Sequence, residues 1–254
     1  MNADTSPQLT IAGRIATITL RNPARSNSLS PQNLDTLCAH VQTVNEAPSV
    51  LVLRFVAEGK YFCSGYDVMA LADSDVPGAL YFGAAVDVVQ AARPVTIAGI
   101  QGGVYGGGTD LGLACDFRIG TPDANMFMPA VKLGLHFYAS GMQRYVSRLG
   151  VDQAKRLFLT GERILADEML RIGFLTELVQ ADALQDRLDA LSATLAAMAP
   201  LALLGVKHHL NRIAVGDVDS QAITQAVLRS EASQDIKEGA LAWKEKRTPQ
   251  FQGR

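Results

Sequence analysis

The sequence predicts a mixed α/β fold that ends in an all-helical segment. Three observations carry that expectation. Strand-like and helix-like stretches take turns through residue 120. Two strongly apolar runs, Val50–Val56 and Val95–Ile100, have the length and composition of buried strands. Beyond Val151 the periodicity is helical throughout. The chain has 254 residues, which suits one medium domain, or one domain with a small appendage. Hydrophobic residues make up 48% and charged residues 19%, enough apolar material for a large core.

Taken in order, residues 8–20 alternate around Gly13-Arg14. They predict a β-hairpin with Ile11 on one arm and Ala16, Ile18 and Leu20 on the other. Pro31–Ala47 predicts a helix, with Ser30 as N-cap and Pro31 at the first position. After the strand Val50–Val56, residues 57–67 read as a polar, glycine-containing loop. Val76–Ala92 is helical in pattern, and Pro94 stops it. The strand Val95–Ile100 leads into a glycine-rich loop, then a helix over Gly107–Cys115 and a short strand over Phe117–Gly120. In the helical tail, Leu184, Leu188, Leu191, Leu195 and Met198 form one apolar stripe, and Gln221–Trp243 is a further amphipathic run. Such stripes must be buried on the main body or on a neighbouring subunit. Low-complexity segments and internal repeats are not evident.

Composition also narrows function. A net charge of −2 argues against a nucleic-acid binder held by bulk electrostatics. Leu191–Val206, the most apolar stretch, is interrupted by Ser192, Thr194 and Pro200. It falls short of the roughly 20 residues a membrane span needs, so it reads as a buried helix pair broken at the proline. The N-terminus is polar and carries no secretory signal pattern. Cys38, Cys63 and Cys115 lack metal-ligand spacing, and their odd number fits reduced thiols in a cytoplasmic protein. No metal site is expected. His208 and His209 are adjacent, which is not ligand-pair spacing on a helix, and His40 has no companion.

Two loops concentrate the chemistry. Tyr61–Asp67 follows a buried strand. Gly102–Asp110 joins a strand to a helix and carries Gly106, Gly107 and Gly108 in a row. Consecutive glycines at a helix start strip away side-chain bulk. A ligand can then reach N–H groups that have no acceptor within the helix, where the dipole adds positive potential. That arrangement can stabilise an oxyanion; a lone triple glycine equally serves close helix–strand packing. The second loop is not a dinucleotide fingerprint, and Gly108-Thr109 stands where a P-loop needs lysine. A serine-nucleophile elbow is also absent, since Phe62 and Tyr66 flank Ser64 where glycines are required. A nucleotide enzyme and an α/β hydrolase both lose support.

Four segments, in order and at natural spacing, bear a likeness to one family. Arg21–Leu29 looks like an early loop, Phe62–Asp67 fits F-x-x-G-x-D, and Gly106–Leu111 fits G-G-G-x-E/D-L. Glu238–Phe251 resembles the ending E-G-x-x-A-F-x-E-K-R-x-P-x-F, with Trp243 in place of the phenylalanine. The chain resembles the crotonase, or enoyl-CoA hydratase/isomerase, superfamily over nearly its whole length. The resemblance implies a spiral of repeated ββα turns over residues 1–195, then a C-terminal helical trimerisation region over 196–254. It implies assembly as a homotrimer or homohexamer. It implies an acyl-CoA substrate, a coenzyme A thioester, with no permanently bound cofactor.

By the same resemblance, the thioester carbonyl would accept hydrogen bonds from the N–H groups of Tyr66 and Gly107. Removing one such donor typically costs about 3–4 kcal/mol of barrier. Many relatives carry alanine at position 66, so Tyr66 would narrow the acyl pocket. Asp110 matches the first acidic position of the hydratases. The second falls on Ala130, which cannot transfer a proton and makes a standard two-glutamate hydration doubtful. The following stretch offers His136, which titrates near neutrality, and Tyr138, which can donate a hydrogen bond. The family's dehalogenases place a catalytic aspartate where Tyr138 stands. Its methylmalonyl-CoA decarboxylases lack the second acid and use a nearby tyrosine. Arg25 resembles a position near the CoA adenine or phosphates, and Ser64, Tyr66 and Asp67 belong to the same CoA-binding loop. Trp243 and Lys246 resemble tail residues that reach a neighbouring subunit's CoA. Arg144 reads as structural. The readings open on sequence are a hydratase or isomerase, a decarboxylase or thioester hydrolase, and a binding protein that has lost catalysis.

Overall fold

The computed structural model describes residues 5–67 and 78–254. The N-terminal hairpin pairs β1 (Gln8–Ala12) with β2 (Ile15–Leu20) in antiparallel register, Ala12 opposite Ile15. Gly13 turns the hairpin at φ +60. Helix α1 (Pro31–Glu46) starts as its sequence dictates: the Ser30 side chain accepts from Asn33 N, and Pro31 occupies the first turn. Leu34, Leu37, Val41 and Val44 give it one buried face.

Three ββα turns follow. The first comprises β3 (Val52–Ala57), β4 (Tyr61–Cys63) and α2 (Gly78–Gln90). The second comprises β5 (Val95–Ile100), β6 (Gly103–Tyr105) and α3 (Gly107–Ala114). The third comprises β7 (Phe117–Gly120), β8 (Asn125–Phe127) and α4 (Ala139–Leu149). Each turn places one strand in each of two sheets. One sheet has the order β1-β2-β3-β5-β7-β10, and the other β4-β6-β8-β9. All pairings are parallel except β1–β2 and β8–β9. Central β5 is buried at all six residues, as a parallel strand covered on both faces should be.

The corners between sheets are stitched by polar side chains. Gln101 Nε2 donates to the carbonyls of Ala57, Gly59 and Tyr61, and Thr121 Oγ1 donates to Gln101 O. Gly102 fits this corner because a Cβ there would stand 2.0 Å from Lys60 O.

The remaining elements are α5 (Val151–Thr160), β9 (Ile164–Leu165), α6 (Ala166–Arg171), β10 (Glu177–Leu178), α7 (Leu184–Ala196), α8 (Pro200–Ile213), α9 (Ser220–Glu231) and α10 (Gln234–Glu245). Several expectations are corrected here. The tail from Val151 is not wholly helical, because β9 and β10 close the two sheets. Strands β4 and β6 lie where the pattern suggested loop; at three residues each, they are too short to show a period. The run Gln221–Trp243 is two helices, broken where Ser233 caps α10 through Ile236 N.

The expected start of α2 at Val76 lies outside the described residues. Leu188 of the leucine stripe packs at 1% exposure against Leu51, Val52, Ile97 and Ile119, and over Gly99, but Met198 is exposed. Pro200 does break the Leu191–Val206 stretch, with α7 and α8 meeting at 108°. Burial is partial in both: α7 buries only Leu188 and Ser192, α8 buries only Lys207, and Val206 and Leu210 of α8 face outward. No single helix among the described residues is long and apolar enough to cross a membrane.

Candidate active site

Strands β4 and β6 are parallel neighbours, with Tyr61 opposite Gly103 and Cys63 opposite Val104. Their C-terminal ends therefore deliver Ser64-Gly65-Tyr66 and Gly106-Gly107 side by side. Glycine is required at this junction. Gly65 sits at φ +90, and a Cβ on it would lie 2.6 Å from Gly107 N. A Cβ on Gly108 would lie 2.2 Å from Cys63 O, and one on Gly107 would lie 2.6 Å from the Phe82 ring.

The loops leave two N–H groups unspent. Tyr66 forms a parallel bridge with Leu29: Leu29 N donates to Gly65 O at 2.8 Å, and Asp67 N donates to Leu29 O at 3.0 Å. That pattern turns Tyr66 N away from Leu29. Gly107 is the first residue of α3, so its N–H has no acceptor within the helix. Among the described residues neither N–H has an acceptor. Phe82 of α2 is buried beside both, packing edge-on to the Tyr66 ring at 6.4 Å.

Asp110, in the first turn of α3, is fully buried. Arg144 of α4 donates to it twice, Nε to Oδ1 and Nη2 to Oδ2, each at 2.9 Å. The Tyr138 hydroxyl donates to Oδ2 at 2.5 Å. Arg144 Nη1 also donates to Asp87 Oδ1 at 2.9 Å and to the Gln90 side chain. Burial opposes the Arg144 charge, but its bonds to Asp110 and Asp87 outweigh that and raise its pKa. Burial first, then the Asp110 charge, pushes the Tyr138 phenol well above its usual range, so it stays neutral and donating. Beside this cluster Thr109 Oγ1 meets both Gly106 O and the buried Tyr145 hydroxyl.

Tyr138 has a purpose-shaped seat. Its ring stacks on Phe137 at 4.2 Å and lies against Gly83 of α2 and Gly141 of α4. A Cβ on either glycine would come within 2.7 Å of that ring. Ala130 is buried at the start of a short 3-10 turn and presents only a methyl group. His136 is exposed, with Nδ1 2.7 Å from Phe137 O, and no hydrogen bond joins it to Asp110 or Tyr138.

Around the first loop, Arg25 Nη1 pairs with Asp67 Oδ2 at 2.7 Å, and Ser64 Oγ donates to Arg25 O at 3.5 Å. Asn27 pins this region. Its Oδ1 accepts from Asn22 N, and its Nδ2 donates to Glu58 O and Tyr61 O. Trp243 is 88% exposed, and Lys246 ends α10 at φ +54. No hydrogen bond or ion pair joins either to Tyr66, Gly107 or Asp110 within the chain. The C-terminal helices are tied instead to the strand starts. Lys207 Nζ meets Asp116 Oδ2 at 2.8 Å just before β7, and Arg14 Nη2 donates to Phe251 O at 2.8 Å.

The structure thus brings Tyr66, Gly107, Asp110 and Tyr138 into connected elements, and Arg25, Ser64 and Asp67 into a second group. Arg144, read as structural from the sequence, is the residue whose pairing with Asp110 the sequence did not show. A signal was available: Gly141, Arg144, Tyr145 and Leu149 form the buried face of α4, and a charge on such a face demands a partner.

A family model described as enoyl-CoA hydratase/isomerase matches residues 10–254. A probable enoyl-CoA hydratase of Mycobacterium leprae is 32% identical over 252 residues, covering 96% of this chain and 98% of the relative. The carnitinyl-CoA dehydratase of Proteus mirabilis is 30% identical over 260 residues, covering 98% and 99%. The crystal structure of an enoyl-CoA hydratase from Bacillus anthracis superimposes with a TM-score of 0.92 at 29% identity, covering 98% and 100%.

Proposed function

Since the chain belongs to the enoyl-CoA hydratase/isomerase family, we propose that it binds an acyl-CoA thioester with the carbonyl oxygen between Tyr66 N and Gly107 N. It then stabilises the enolate that forms at the α-carbon. The observation that carries this reading is the pair of main-chain N–H groups, of Tyr66 and Gly107, without acceptors among the described residues. Fixed donors of this kind need no reorganisation when negative charge moves onto the oxygen, and each is worth about 3–4 kcal/mol of barrier. Tyr66 and Phe82 crowd the carbonyl from one side and favour a short acyl group. Asp110 and Tyr138 act as one unit, the hydroxyl proton lying between them. Arg25, Ser64 and Asp67 meet the CoA moiety. Trp243 and Lys246 project from the body to reach the CoA of a neighbouring subunit in a trimer or hexamer, in a cytoplasmic setting.

A second reading is supported by the three hydrogen bonds already made to Asp110 and the methyl at Ala130. Hydration needs an acid and a base flanking one water. Here the one carboxylate already accepts three hydrogen bonds. Decarboxylation of a 2-carboxyacyl-CoA asks less of the protein: the C–C bond breaks, CO2 leaves, and its electron pair becomes the enolate. One proton donor then completes the reaction. Thioester hydrolysis and binding without turnover are the remaining outcomes.

Turnover of crotonyl-CoA, a 3-enoyl-CoA and methylmalonyl-CoA, each with wild type and Asp110→Ala, separates these readings. Full rate for Asp110→Ala on the working substrate would remove Asp110 from the mechanism. Tight acyl-CoA binding by calorimetry with no turnover on any substrate would leave only the binding protein.

A further inference from the structure

A cavity of about 1410 Å³ lies between the body of the protein and helices α8 and α9, apart from the site just described. None of Tyr66, Gly107, Asp110 or Tyr138 lines it. The Arg144 guanidinium is the partition: Nε and Nη2 face Asp110, while Nη1 faces Asp87 and Gln90, which do line the cavity.

The charge on this lining is lopsided. Six cationic side chains contribute to it, Arg14, Arg93, Arg144, Lys207, Arg212 and Arg229, against the single carboxylate of Asp87. Three of the cations are answered by carboxylates: Arg144 by Asp110 and Asp87, Lys207 by Asp116, and Arg212 by Asp217 and Asp219. The other three have no carboxylate partner among the described residues. Arg14 donates only to the carbonyls of Ala196 and Phe251. Arg93 donates through Nε and Nη2 to the carbonyls of Asn45, Ala47 and Val50, which leaves Nη1 unspent. Arg229 projects from α9.

Carbonyl acceptors orient a guanidinium but do not neutralise it. A half-buried cation therefore carries a desolvation cost that an anion would relieve. Burial lowers the Arg93 pKa, which is the mark of that cost. A chain of net charge −2 has no bulk reason to gather three unneutralised arginines on one concave surface. We propose that this cavity is a second ligand site, for a small polyanion bearing carboxylates or phosphates, held by Arg14, Arg93 and Arg229. Arginine forks suit both groups by paired N–H donation.

The experiment is isothermal titration of the intact protein at low ionic strength with citrate and, separately, with inorganic pyrophosphate. The expected result is one saturable site per chain for at least one probe, weakening as salt is added. Binding of citrate alone identifies a polycarboxylate site, and of pyrophosphate alone a phosphate site. Arg93→Gln should weaken binding about tenfold, as loss of a charged hydrogen-bond donor does. Arg93 also holds backbone carbonyls, so the exposed Arg229→Gln is the second variant, with a loss of roughly threefold expected from a more solvated charge. No saturable binding of either probe, or wild-type affinity in folded Arg229→Gln and Arg93→Gln, would overturn the proposal.

Discussion

Replacing Arg144 by methionine tests how the heart of the site is held together. The substitution keeps an unbranched side chain of similar length on the buried face of α4 but removes both donors to Asp110. Asp110 is at 0% exposure, so water does not replace them, and the Tyr138 hydroxyl is the one side-chain donor left to it. Stripping one partner from a buried ion pair costs about 3–5 kcal/mol, because the other charge is left uncompensated. The lost contact with Asp87, which is 48% exposed, adds within about 1 kcal/mol. For a chain of this size each kcal/mol lowers Tm by about 2–4 °C, so Arg144→Met should melt on the order of 10 °C below wild type. Thermal unfolding followed by circular dichroism at fixed protein concentration reads this directly. Asp110→Asn added to Arg144→Met should restore most of the loss: it removes the stranded charge and still accepts from Tyr138. A single variant within about 2 °C of wild type, or a double variant no more stable than the single, would refute the claim that the pair is a compensated buried charge.

Three further outcomes are expected. Gly65→Ala should lower kcat/KM by about a hundredfold or more, because its Cβ would meet backbone at Gly107 N and displace the donor proposed for the thioester oxygen. Gly107→Ala meets the Phe82 side chain instead and should be partly rescued by Phe82→Leu; equal rescue of both alanine variants would contradict this geometry. Tyr138→Phe deletes one hydrogen bond to a buried carboxylate and should cost about 1–3 kcal/mol by urea denaturation. Its turnover should fall on whichever thioester proves to be the substrate, and unchanged turnover would place Tyr138 outside the mechanism.

Glu238 is held well below its ordinary range, at about 2, first by Arg247 and then by Gln250 N. A depressed folded-state pKa stabilises above the unfolded value and is lost as pH falls toward the folded one. The Tm advantage of wild type over Glu238→Gln should therefore be present at neutral pH and vanish between about pH 4.5 and 2. An advantage that grows on acidification would reverse the assignment.

The legible parts of this protein were those with a local cause. The hairpin around Gly13, the Ser30-Pro31 start of α1, the buried strand Val95–Ile100 and the glycine-lined start of α3 each follow from residues within a few positions. Strands β4, β6, β9 and β10, of two or three residues, exist because neighbouring strands offer hydrogen-bond partners, and nothing in so short a run announces that.

The site divides in the same way. Residue order picked out the two glycine-containing loops, and the family resemblance matched Asp110 to the first acidic position of the hydratases and Ala130 to the second. It could not pair Asp110 with Arg144, 34 residues later, or show that Gly83 and Gly141 vacate the space the Tyr138 ring fills. Those contacts cross between α2, α3 and α4. A side chain's partners across elements depend on how helices pack, and only the assembled core decides that. The glycine loops were thus legible in the sequence, while the partners of the Asp110 carboxylate were decided by tertiary structure.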